Sequence, residues 1–193
     1  MVRQCFRVVP SERLRSSKLI RPLAPGPRPK VFGNYCIQKL FDFGTPEQRI
    51  ALAKTMEGFV LPLSLSTYGC RSIQKALEVV TSEQRNTLVL ELKDNIMDCV
   101  KSSNANHVIQ RIVALPEPGL DFVAAFTGRV FELSTHPYGC RVLQRCFEFL
   151  PEEKIRPLLT EMHTQTRRLV LDQFGNYGLS FHSASPYAHI SQS

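Results

Sequence analysis

No stretch of this 193-residue chain approaches eighteen consecutive apolar residues, and its opening, MVRQCFRVVP, holds no uninterrupted apolar segment. Neither a membrane-spanning helix nor a secretory signal is expected, so the sequence predicts an intracellular, cytoplasmic protein with no membrane contact. Cysteine never occurs as CxxC. The six thiols, Cys5, Cys36, Cys70, Cys99, Cys140 and Cys146, have neither zinc-site nor disulfide-framework spacing and read as reduced cysteines. The five histidines, His107, His136, His163, His182 and His189, form no HxxxH or HExxH pair. No metal and no cofactor is expected. Cys140 with His136 invites a thiol nucleophile, but no oxyanion loop or orienting acid accompanies them, and the chain reads as a non-enzyme.

Acidic residues are almost missing from the first thirty positions, where eight Lys and Arg face Glu12 alone. That segment therefore carries the whole formal charge of +7, and residues 31–193 hold sixteen of each sign. Net charge thus supports no claim about the body of the protein; a basic surface there has to come from local placement. The segment ends RPLAPGPRPK and shows no helical or alternating period, which predicts a disordered basic arm over residues 1–30. The same composition suits a transit peptide, although Pro22, Pro25, Pro27 and Pro29 leave little room for an amphipathic helix.

What the chain does contain, from Val31 onward, is itself repeated. FGNYCIQKL, YGCRSIQKA, NANHVIQRI, YGCRVLQRC and FGNYGLSFH align so that Asn34, Cys70, Asn106, Cys140 and Asn176 stand 36, 36, 34 and 36 residues apart. Between them lie blocks such as TPEQRIALAK and TSEQRNTLVL, whose Thr followed by acid marks a helix start. Each unit is predicted to be a helix, a short helical turn and then the repeated helix. Ile73, Ala76, Leu77 and Val80 fall at i, i+3, i+4 and i+7, as do Leu143, Cys146, Phe147 and Leu150. About 36 residues cannot cover such a stripe alone, so neighbouring units must stack into an all-α solenoid. The expected units are 31–44, 45–80, 81–116, 117–150 and 151–180, followed by a divergent, disordered tail over 181–193.

Polar residues recur in each repeated helix at i, i+1 and i+4. In order they are Asn34, Tyr35 and Gln38; Cys70, Arg71 and Gln74; Asn106, His107 and Gln110; Cys140, Arg141 and Gln144; Asn176, Tyr177 and Ser180. Offsets i and i+4 lie one above the other, which predicts a polar face away from the apolar stripe. Tyr, Arg and His share only a flat face, which suits the stacking of bases. Asn and Gln together offer donors and acceptors that meet the edge of uracil, and Gln beside a small Cys leaves room for adenine. A repeated polar set could instead solvate one face, bond neighbouring repeats or dock a protein partner. Four complete trios with an unbroken Gln column weigh against mere solvation, which needs no particular residue type.

These segments, with SSNANHVIQR, HPYGCRVLQRCFE and DQFGNYG, resemble successive inner repeats of the Pumilio, or PUF, RNA-binding domain over roughly residues 31–178. The resemblance implies a right-handed α-solenoid that reads one base per repeat of single-stranded RNA. Asn with Gln would select uracil and Cys with Gln adenine. The base-edge residues would be Asn34, Gln38, Cys70, Gln74, Asn106, Gln110, Cys140, Gln144 and Asn176, and the stacking residues Tyr35, Arg71, His107, Arg141 and Tyr177. Family RNA runs antiparallel to the protein, so the array would read 5′-UAUAU-3′, within a UGUA-type element of messenger RNA 3′ untranslated regions. Post-transcriptional repression, with translational-repression or deadenylation proteins as partners, is implied in the same way. The family pattern has eight repeats, whereas here the first unit opens at its reading helix and the last departs after Tyr177. An array truncated at both ends, from an isoform, a partial gene model or a fragment, with modest affinity, is the expectation; the alternatives are a helical-repeat scaffold for a protein partner and an inactive truncated isoform.

Overall fold

The computed structural model describes residues 30–116 and 119–175. Of the basic arm expected over residues 1–30, all but Lys30 lie outside them, as do the tail over 181–193 and the residues Asn176, Tyr177 and Ser180; Lys30 is the first residue of a helix. All regular structure among the described residues is helical, and the chain divides into two compact units that meet in sequence at Glu91 and Leu92.

The first unit contains α1 (Lys30–Phe43), α2 (Pro46–Lys54), α3 (Val60–Leu65), α4 (Gly69–Val79) and α5 (Ser82–Leu90). The capping signals work as the sequence predicts. Thr45 opens α2 with a reciprocal capping box: its hydroxyl accepts from the Gln48 amide while the Gln48 side chain accepts from the Thr45 amide, and Pro46 follows. Thr81 caps α5 through the Gln84 amide in the same register. α4 packs on α1 and α3, and the stripe Ile73, Ala76, Leu77 and Val80 is buried with Phe41, Leu52 and Met56.

The second unit begins with a 3₁₀ turn (Lys93–Asn95) and continues through α6 (Ile96–Lys101), α7 (Asn106–Val113), α8 (Phe122–Phe126), α9 (Val130–Ser134), α10 (Gly139–Phe149), α11 (Glu152–Thr164) and α12 (Thr166–Val170). α10 packs on α7 and α9, and α11 packs on α8 and α9. The stripe Leu143, Cys146, Phe147 and Leu150 is buried among Ile109, Ile112 and Phe126.

Two devices recur in both units and position the repeated helices. Gly58 and Gly128 each adopt φ of 79° where the chain turns into α3 or α9. The exposed amides of that turn are taken by a carboxylate from farther along: Glu91 accepts from Gly58 and Val60 at 2.7 and 3.0 Å, and Glu161 from Gly128 and Val130 at 2.6 and 2.8 Å. Gly69 and Gly139 then open α4 and α10 at positions where a Cβ would meet the carbonyl oxygen of Leu63 or Leu133 at 2.5 or 2.6 Å. Only glycine lets the short helix and the repeated helix approach this closely.

Candidate nucleic-acid interface

The first residue of each described trio lies near the start of its helix, first in α7, second in α4 and α10 and fifth in α1, and is buried. Asn34, Cys70, Asn106 and Cys140 are 6%, 2%, 1% and 4% exposed. This differs from the open polar face that helix periodicity predicts. The cause lies in the preceding turn: the backbone amides of Cys70, Asn106 and Cys140 donate to the carbonyls of Ser66, Ser102 and His136, which tucks each of these residues beneath that turn. The column forms the floor of the face instead of its crest.

Each floor residue is held by internal bonds. In the first unit the buried Ser72 hydroxyl donates to Asn34 Oδ1 at 2.9 Å. In the second, Asn106 Nδ2 donates to the Ser102 carbonyl at 2.7 Å, and Asn106 Oδ1 accepts from Gln110 Nε2 at 2.9 Å. The Cys70 and Cys140 thiols point to the carbonyls of Thr67 and Pro137. Burial pushes both thiols above their ordinary range, outweighing the nearby charges of Arg71 and Arg141. They are neutral, compact floor groups at pH 7 and are unsuited to act as nucleophiles. His136, which precedes Cys140 by four residues, has its Nδ1 occupied by backbone amides.

The other two columns are accessible. Gln38, Gln74, Gln110 and Gln144 are half-buried, and Gln38 and Gln74 are steadied by bonds from Nε2 to the carbonyls of Asn34 and Cys70 at 3.5 and 3.1 Å. Tyr35 is 61% exposed, Arg71 and Arg141 are exposed, and His107 is half-buried. Within the second unit, Gln110, Cys140, Arg141, Gln144, Arg145 and Phe174 line one groove of about 550 Å³. The groove thus brings together Gln side chains of two successive repeats, a buried thiol and a guanidinium group.

Three sets of residues escaped the sequence reading. Four residues ahead of the positions 70, 106, 140 and 176 stand Ser66, Ser102, His136 and Asp172, and each side chain accepts from one or two backbone amides two or three residues further on. A column of acceptors at a fixed offset was the available signal, hidden by the difference in residue type. In the TPEQR and TSEQR blocks, Arg49 donates to the Asp42 carbonyl, and Arg85 to the carbonyls of Leu77 and Val80. They close the C-terminal ends of α1 and α4. Finally, Lys39, Lys75, Arg111 and Arg145 follow the Gln column by one residue. Lys75 pairs with Asp42 and Glu78 at 2.7 and 3.1 Å, and Arg145 with Glu148 at 2.6 Å.

The family model described as the Pumilio-family RNA binding repeat matches residues 31–54, 59–93 and 129–163. Pumilio homolog 1 of Xenopus laevis is 47% identical over 139 residues, covering 70% of this chain and 12% of the relative. Pumilio homolog 12 of Arabidopsis thaliana is 32% identical over 78% of this chain and 26% of its own length. The chain thus spans between 12% and 26% of the length of these curated relatives. Among solved structures, the Puf3 RNA binding domain bound to a Cox17 RNA 3′ UTR recognition sequence matches with TM-score 0.79 and 42% identity, over 88% of this chain and 47% of that one. The Puf4 RNA binding domain bound to an HO endonuclease RNA 3′ UTR recognition sequence matches with TM-score 0.77 and 28% identity, over 94% and 56%. Both neighbours are RNA binding domains bound to RNA, and together with the repeat matches and the curated relatives they establish that the chain belongs to the Pumilio family, as a partial array of its repeats.

Proposed function

We propose that this chain is a noncatalytic, sequence-selective binder of single-stranded RNA, directed to UGUA-type elements in messenger RNA 3′ untranslated regions and serving post-transcriptional repression in the cytoplasm. The observation that carries this reading is the second-unit groove, which Gln110, the buried neutral Cys140, the exposed Arg141 and Gln144 line together. A flat purine stacked on Arg141 would meet a Gln amide at its edge, and the thiol floor leaves it room. Where Asn106 replaces Cys, the floor rises by a polar side chain already bonded to Gln110, which favours a smaller, more polar pyrimidine edge. In the first unit the same residue types support uracil at Asn34 with Gln38 and adenine at Cys70 with Gln74. Asn176 and Tyr177 extend the proposed reading by one letter to 5′-UAUAU-3′.

A titration with UAUAU-containing RNA and a scrambled control tests the assignment. Gln74→Ala with Gln144→Ala is expected to erase the preference for adenine at the two matching positions, at about 1 to 3 kcal/mol per lost edge contact in a buried polar site. Equal binding of both RNAs by the unaltered chain, or an intact adenine preference in the double variant, would overturn it.

A further inference from the structure

In the second unit, the reading helix α10 starts on an imidazole. His136 Nδ1 accepts from the backbone amides of Tyr138 and Gly139, each at 3.2 Å, satisfying two N–H groups that the helix cannot bond internally. The equivalent acceptor is the Ser66 hydroxyl at α4, which takes the Gly69 amide, and the Ser102 hydroxyl before α7, which takes the amides of Asn104 and Ala105. Hydroxyls do not titrate in the biological range, whereas an imidazole does. From these contacts we infer that His136 is a positioning residue for base reading, and that its protonation releases the start of α10 and weakens recognition at the Cys140, Arg141 and Gln144 position. The inference rests on the RNA-binding reading above.

The chemistry permits one charge state only. A ring nitrogen accepts through its lone pair, so protonation at Nδ1 turns the acceptor into a donor facing two other donors. The surroundings reinforce this. His136 is half-buried, its ring lies 5.7 Å from that of Tyr138, and the charged groups facing it are Lys101 on α6 and Glu132 on α9, which pair with each other. Burial first, and then the Lys101 charge, hold the imidazole below its ordinary value of 6.5, with Glu132 opposing. The sign follows from linkage. A base whose folded value is depressed contributes full stability above its unfolded value, and that contribution falls as pH drops from about 6.5 toward the folded value. The cap is therefore present at pH 7.5, and it is released as the pH falls below about 6.5 and through that lower folded value. Ser66 and Ser102 keep their helix starts throughout, which localises the effect to one repeat of the array.

The decisive variant is already written in the chain: His136→Ser installs the group found at positions 66 and 102. RNA affinity of the full 193-residue chain for a UAUAU oligonucleotide is measured from pH 7.5 to 5.5, alongside amide hydrogen exchange at Tyr138 and Gly139 corrected for intrinsic rates. The unaltered chain is expected to lose about fivefold in affinity, the factor of a typical side-chain cap, and to exchange these two amides faster by a similar factor while Gly69 is unchanged. His136→Ser is expected to flatten both profiles and keep the pH 7.5 affinity, and His136→Ala to be weak at every pH. An unchanged pH slope in His136→Ser, or a flat profile in the unaltered chain, would overturn the inference. Failure of RNA to bind at any pH would sink the functional reading instead, and the exchange profile would still decide the role of His136.

Discussion

Ser72 and Val142 occupy the same place two residues after the floor position, and their difference shows how one hydroxyl orients a floor residue. Ser72 is fully buried and donates to Asn34 Oδ1, fixing which way the Asn34 amide faces. Val142, equally buried in the second unit, offers no donor, and there Asn106 is instead oriented by Ser102 and Gln110. Ser72→Ala leaves a buried carboxamide oxygen without its donor, and the expected cost is about 1 to 2 kcal/mol in a denaturant titration. The same change is expected to relax the uracil preference at the Asn34 position while the adenine preference set by Cys70 and Gln74 is kept, which a position-by-position RNA panel would detect. A variant that loses stability with unchanged uracil selectivity would confine Ser72 to packing.

At the scale of the helices, stability of the reading face depends on carboxylates far along the chain. Glu161 on α11 accepts two short bonds from the turn that leads into α9, and α9 in turn supports α10. Glu161→Ala removes both acceptors at once. Because the site is partly solvated and water can replace some of the loss, about 1 to 3 kcal/mol is expected in chemical denaturation, with Glu161→Gln recovering part of it. No measurable change in Glu161→Ala would show that the turn is held by its backbone alone. This tie also marks where sequence reasoning stops. The apolar stripes, the Thr45 and Thr81 caps and the three-helix unit were legible, because each depends on spacing within about one turn. The Glu91 and Glu161 ties were not, since 31 to 33 residues separate the partners and nothing local marks either glutamate as a cap. The buried state of the Asn and Cys column was missed for a related reason: helix periodicity says which residues share a face, while burial at a helix start depends on the turn that precedes it. The fixed offset of Ser66, Ser102, His136 and Asp172 was visible as a column, but hydroxyl, imidazole and carboxylate look unlike until their shared role as acceptors is seen.

For the whole molecule, the distribution of charge separates reading from mere attraction. Residues 31–193 hold equal numbers of both signs, and Lys75 and Arg145 on the reading helices are neutralised by Asp42, Glu78 and Glu148. Under the proposed reading, base recognition by such a body would depend on neutral Asn, Cys and Gln edges and on stacking, all weakly affected by salt, while the excess of +7 is confined to the first thirty residues. A ligand that binds only the folded chain raises its stability by mass action, by about 2.7 kcal/mol when its free concentration is 100 times Kd. Thermal melts of the full chain with UAUAU RNA are therefore expected to shift upward, with a smaller shift from the scrambled RNA. When salt is raised from about 50 to 200 mM, the scrambled RNA is expected to lose its effect and the difference between the two RNAs to persist. Equal shifts that vanish together with salt would assign RNA binding to the basic segment, and the repeats would then contribute fold without recognition.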